Sequence, residues 1–89
     1  MPRLQTGDVL YVLFEELCAQ ARTIRLWDAD RRDGWFAACA AVLAAVPDGI
    51  QRLAWAYQLA QALPPIGMPL CLVVAELLSR AQEVARCAW

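Results

Sequence analysis

The densest run of chemistry-bearing side chains in this 89-residue sequence is Asp28-Ala29-Asp30-Arg31-Arg32-Asp33-Gly34, five charged residues in seven. Carboxylates at alternating positions ahead of a glycine are what a hard cation such as calcium requires. The register does not fit. With Asp28 as the first ligand, Arg32 falls where the third ligand belongs, Asp33 where the glycine belongs and Cys39 where a bidentate glutamate is needed. The run is therefore expected to be a solvated connecting loop that caps the helix following it.

Cys18, Cys39, Cys71 and Cys87 are the candidate soft ligands and nucleophiles. No two of them form a Cys-x-x-Cys pair and the chain has no histidine, so a zinc site is not expected. Each stands in an apolar helical neighbourhood, where a thiol pKa rises rather than falls, and is expected to be a buried structural thiol. Cys87 is the exception, because it follows Arg86 near a chain end. Lysine is absent, and the aliphatic hydroxyls Thr6, Thr23 and Ser79 have no base beside them. Glu15 and Glu16 do not make a carboxylate dyad, since adjacent helical residues point about 100° apart. No catalytic, metal or cofactor-binding residue is assigned, and the chain reads as a non-enzyme. A cysteine-dependent enzyme is an alternative, recognisable by fast, selective alkylation of one thiol at neutral pH.

Nucleic-acid binding needs a basic footprint, whereas the net charge is −1, the eight arginines are scattered and Arg31-Arg32 is the one basic pair. Two helices joined at Pro47-Asp48-Gly49 could imitate a helix-turn-helix. The second of them, however, offers only Gln51, Arg52, Gln58 and Gln61 to a groove. A DNA-binding regulator is thus a second alternative, marked by salt-dependent affinity for duplex DNA.

The largest anomaly is Trp55. On a helical wheel it lies about 160–200° from Leu53 and Tyr57, on the side that carries Gln51, Arg52 and Gln58. An exposed tryptophan flanked by arginine and amides has the composition of an interface anchor. Trp55, Arg52, Gln51, Gln58 and Trp89 are therefore the expected partner-binding residues, with Trp27 and Trp35 as further aromatics at element ends. The competing expectation is that the third helix is central and buried on both sides, Trp55 included.

These residues must be positioned by helices, because apolar spacing of three and four recurs throughout. Leu10, Phe14, Leu17, Ala21 and Ile24 mark helix one, about residues 8–26, with Leu13 widening its stripe. Trp35 to Val46 contains no polar side chain and forms helix two, about 35–46, which is expected to be buried on most sides. Helix three spans about 49–63 with Ile50, Leu53, Tyr57 and Ala60 as its inner stripe. Pro69 opens helix four, about 69–87, whose seam is Leu70, Val74, Leu77, Ala81, Val84 and Ala88, with Glu76 and Arg80 paired on its outside. The seams of helices one and four match in length and could pair within one chain or across a dimer.

The expected fold is all-α: one domain over residues 1–89, a small bundle of four helices that dimerisation could complete. Hydrophobic residues make up 61% of the chain, against roughly 45–50% in ordinary domains. That surplus points to self-association, most simply a homodimer, or to a dedicated protein partner. No span of roughly 20 apolar residues is expected, since Pro47 and Asp48 close the helix-two run and Glu76 interrupts helix four. The N-terminal residues lack a signal-peptide layout, which places the chain in a reducing cytoplasm. An alanine- and arginine-rich composition without Lys, Asn or His suggests a GC-rich bacterial, plasmid or phage genome. Together these features describe an interaction module, a small regulator or inhibitor that docks an apolar helical face on a partner protein.

Overall fold

The computed structural model describes residues 6–64 and 67–87. Four helices follow in order, α1 (Thr6–Ala21), α2 (Ala29–Ala45), α3 (Gly49–Ala62) and α4 (Leu70–Cys87), with a 3₁₀ turn at Ile24–Leu26 and no strand among the described residues. The expected four-helix, all-α architecture is what the chain adopts.

α1 turns Phe14, Leu17 and Ala21 into the core and half-buries Leu10, as its spacing predicts, but Leu13 faces solvent. It also ends earlier than expected. The Thr23 hydroxyl and the Thr23 N–H both donate to the Gln20 carbonyl, each at 3.1 Å, and this local alternative to the helical ladder tightens the chain into the 3₁₀ turn. The turn carries Ile24 and then Trp27 inward and leaves Leu26 86% exposed.

The charged run around Asp28 is not a loop: it forms the first turns of α2, which starts at Ala29 rather than near residue 35. Asp28 supplies the cause, its carboxylate accepting the Arg31 N–H at 2.8 Å as an N-cap, with Asp30 favourably placed in the positive first turn. Arg32 adds a bond from Nε to the Trp27 carbonyl at 3.1 Å. Asp28→Ala is expected to cost about 1 kcal/mol, a fall of roughly 4–8 °C in the thermal midpoint of a domain this size, while Asp28→Asn stays near wild type. A circular-dichroism melt of the two variants checks this.

α2 buries one face, Trp35, Cys39, Ala40, Val42 and Leu43, and Val46 continues it. It is not buried on most sides as expected. Ala37, Ala38, Ala41 and Ala45 lie in solvent, where alanine's helix propensity explains an apolar run that core burial does not. Asp48 caps α3 by accepting the Ile50 N–H at 2.9 Å. Before α4 the chain turns at Gly67, whose φ of 79° only glycine adopts readily. The Pro69 carbonyl accepts from Leu72 and Val73, so Pro69 lies one position outside the helix it introduces.

α2 packs most extensively on α4, α4 also on α3, and α1 on both α2 and α3. α1 and α4 stand at opposite corners of the bundle, so their matching seams do not pair within the chain. Val74, Leu77 and Ala81 of the predicted α4 seam are buried together with Val73, whereas Leu70 and Val84 are exposed and Ala88 lies outside the described residues. The centre is filled by Leu43, Leu59, Leu77, Val46 and Cys39. The Trp35 indole ties α2 to α1, its Nε1–H donating to the Leu17 carbonyl at 3.0 Å.

Candidate functional site

α3 presents to solvent the stripe that its sequence pattern assigns to the core. Ile50 is 82% exposed, Leu53 45% and Tyr57 41%; of the expected inner stripe only Ala60 is buried. The face turned inward is Trp55, Ala56, Leu59 and Ala60. Two alanines let the helix approach its neighbours closely while one indole fills the space toward α1. Trp55 is 8% exposed and lies flat on Phe14, ring centroids 4.5 Å apart and planes 12° from parallel, with Tyr11 at 6.2 Å. Trp55 is therefore a core residue and not an exposed anchor, as the competing expectation has it, but α3 is not buried on both sides: only its Trp55 face is covered.

Arg52 is likewise occupied. Its Nε donates to the Leu43 carbonyl at 3.1 Å and its Nη2 to the Val46 carbonyl at 2.6 Å. These are carbonyls at the C-terminus of α2, where helix ends leave acceptors without intrahelical partners and the dipole favours a cation. Arg52 thus closes α2 from α3, a structural task rather than the expected partner contact. Gln51 and Gln58 are exposed, as a contact surface requires, and Trp89 lies outside the described residues.

With Arg52 bound to α2, the outer face of α3 carries no acidic or basic side chain. It consists of Ile50, Leu53, Ala54 and Tyr57 at spacing i, i+3, i+4, i+7, flanked by Gln51, Gln58 and Gln61, all exposed. The stripe is about 10 Å long at 1.5 Å per residue. Beside it, between α2, α3 and α4, opens a cleft of ≈ 460 Å³ walled by Ala44, Leu53, Leu78, Ala81 and Ala85, with Arg52 and Gln82 at its polar edge. The other helices all set charges outward: Glu15 and Glu16 on α1, Asp30 and Arg31 on α2, Glu83 and Arg86 on α4.

A second cleft, of ≈ 560 Å³, runs between α1 and α3 and contains Tyr11, Glu15, Cys18, Arg22, Gln58 and Gln61. It gathers titratable groups without activating them. Burial, then the Glu15 charge, pushes the Cys18 thiol up, with Arg22 opposing, so the thiol stays protonated at neutral pH. A hydrogen bond to Glu15, and then its charge, likewise raises the Tyr11 phenol. Cys39 is pushed up strongly by burial, as expected of a core thiol. Cys71 is exposed rather than buried, and Cys87 is exposed.

The remaining charges lie on the surface. Arg80 pairs with Glu76 at 2.8 Å, the predicted i,i+4 contact, and with Asp33 at 3.2 Å, and its guanidinium lies over the Phe36 ring. Such exposed pairs contribute about 0–1 kcal/mol each. Among the described residues no three carboxylates or thiols gather to hold a metal ion, and no helix is long and apolar enough to cross a membrane. The absence of a usable charge on α3 is legible in the sequence, which has one cation and no anion between Gly49 and Ala62; what hides the exposed face is that the spacing of Ile50, Leu53 and Tyr57 predicts an inner stripe, whereas all three face solvent. Compared with known proteins, the chain matches no family model, no curated protein and no solved structure.

Proposed function

We propose that this chain is a non-enzymatic interaction module that works by laying the outer face of α3 on another protein chain. The observation that carries the proposal is the charge-free stripe Ile50, Leu53, Ala54 and Tyr57 on a helix whose only cation is engaged elsewhere. Cores of protein interfaces are depleted in charge and rich in tyrosine and aliphatic contacts, and grooves that receive a helix read anchors at this spacing. Gln51 and Gln58 supply the polar rim. The sequence's apolar surplus supports self-association, a homodimer, as one use of the face. Free thiols, together with the alanine- and arginine-rich composition, support a small cytoplasmic regulator or inhibitor of bacterial, plasmid or phage origin. A DNA-reading role for α3 gains no support, because the single guanidinium it would bring to a groove is bound to α2.

The test is a photo-crosslinking side chain in place of Tyr57, with the same group in place of Ala37 on α2 as the control, in the organism that encodes the chain. A discrete adduct from position 57 and none from position 37 is the expected outcome. Equal labelling from both positions, or none from position 57, contradicts the proposal.

A further inference from the structure

We infer that the occupant of the α3 face is a second copy of this chain, packed antiparallel about a two-fold axis passing between Leu53 and Ala54; the inference rests on the docking role proposed above. Two features of the face select this occupant. The first is electrostatic. A two-fold interface sets each residue near the axis against its own copy, so any charge there meets a like charge. The outer face of α3 escapes this penalty, with no acidic or basic group from Ile50 to Gln61 other than Arg52, whose guanidinium is bound to the Leu43 and Val46 carbonyls. The exposed faces of α1, α2 and α4 would each set carboxylates or guanidiniums against themselves.

The second feature is register. Reversing α3 about the point between Leu53 and Ala54 carries Ile50 onto Tyr57 and Leu53 onto Ala54, so the stripe maps onto itself. Ala54 at the centre lets the two helices approach closely, within the roughly 8–10 Å usual for packed helices. Ile50 and Tyr57 then meet across the axis at both ends. The ≈ 460 Å³ cleft lies beside the Ile50 end, between Leu53 and the α4 wall of Leu78 and Ala85. It receives the partner's Tyr57 ring, an aromatic anchor entering an apolar slot. Each copy offers one ring and one slot, so the contact closes as a dimer and does not propagate.

Light scattering during size exclusion, with reductant present and across a dilution series, reads the result directly. The wild-type chain is expected at twice its 9.9 kDa mass, falling toward the single-chain value on dilution. Leu53→Arg, Ile50→Lys and Tyr57→Glu are each expected at the single-chain mass with unchanged helicity, because all three side chains are exposed. Ile50→Lys and Tyr57→Glu together in one chain restore the doubled mass, since the ammonium introduced at position 50 of each copy faces the carboxylate introduced at position 57 of the other. A wild-type chain of single mass at every concentration overturns the second copy as occupant and leaves the docking role to the crosslinking test. A doubled mass that persists in Leu53→Arg removes the α3 face from both. Loss of the dimer in the single variants without rescue in the double variant overturns the antiparallel register.

Discussion

Trp55→Ala lowers the stability of this protein by about 3–5 kcal/mol, the usual cost of emptying a buried indole site. A domain of this length has a total of about 4–13 kcal/mol to lose, so the variant stands close to unfolding at room temperature. The size of the effect follows from position. Trp55 is almost fully covered and stacks on Phe14, so its removal takes away both area burial and an aromatic contact at the α1–α3 junction. Ala56 and Ala60 beside it are too small to fill the hole, and backbone collapse is resisted by Asp48 and Arg52, which fix the start of α3. Trp55→Phe keeps a ring on Phe14 and costs less than half as much. Urea titration followed by far-ultraviolet circular dichroism reads both variants. An unchanged midpoint for Trp55→Ala places the indole outside the core and reverses the orientation of α3.

Arg52→Ala is the second large effect, about 1–2 kcal/mol, from two charge-assisted bonds to the carbonyls of Leu43 and Val46. The side chain is half-buried, which keeps the figure below that of a fully enclosed charge. Arg52→Lys recovers only part of the loss, because an ammonium keeps the favourable charge at the helix terminus but cannot reach both carbonyls in the geometry of the guanidinium fork. Amide exchange localises the effect. Protection falls first in the last turn of α2 and the Pro47–Asp48 connection and spreads to the whole domain only near the unfolding transition. Full recovery in the Lys variant would show that the fork geometry contributes nothing.

Much of the architecture is legible in spacing alone. Phe14, Leu17, Ala21 and Ile24 on one side, and Val74, Leu77 and Ala81 on the other, fall into the core as their periodicity predicts. Two boundaries are not legible, for opposite reasons. The run Asp28–Gly34 looks like a loop by charge and glycine content, yet Asp28 is a good enough cap to start α2 at once. The Thr23 hydroxyl competes for the Gln20 carbonyl and stops α1 before its apolar pattern stops.

The sequence misleads about the face of α3 because both of its sides are apolar, one with Ile50, Leu53 and Tyr57 and the other with Trp55, Ala56, Leu59 and Ala60. Counting large aliphatic residues favours the wrong side. Fit decides for the other, since an indole with two small neighbours packs against Phe14 where Ile50 and Leu53 find no partner. Arg52 follows the same logic. Beside Trp55 it reads as an interface arginine, and only the short connection from Val46 to Asp48 reveals that the α2 carbonyls lie within its reach.

The orientation of α3, tryptophan inward and the charge-free stripe outward, is the claim on which the site depends. Side-by-side urea titrations of Leu53→Arg and Trp55→Ala, at a concentration where both are single chains, test it most directly. Leu53→Arg is predicted to remain folded with one cooperative transition, because an exposed position away from special contacts shifts stability by no more than about 0.5 kcal/mol. Trp55→Ala is predicted to lose most of its transition. The reverse pattern, an unfolded Leu53→Arg beside an intact Trp55→Ala, would mean that α3 is turned by half a revolution and that the surface assigned to docking is core.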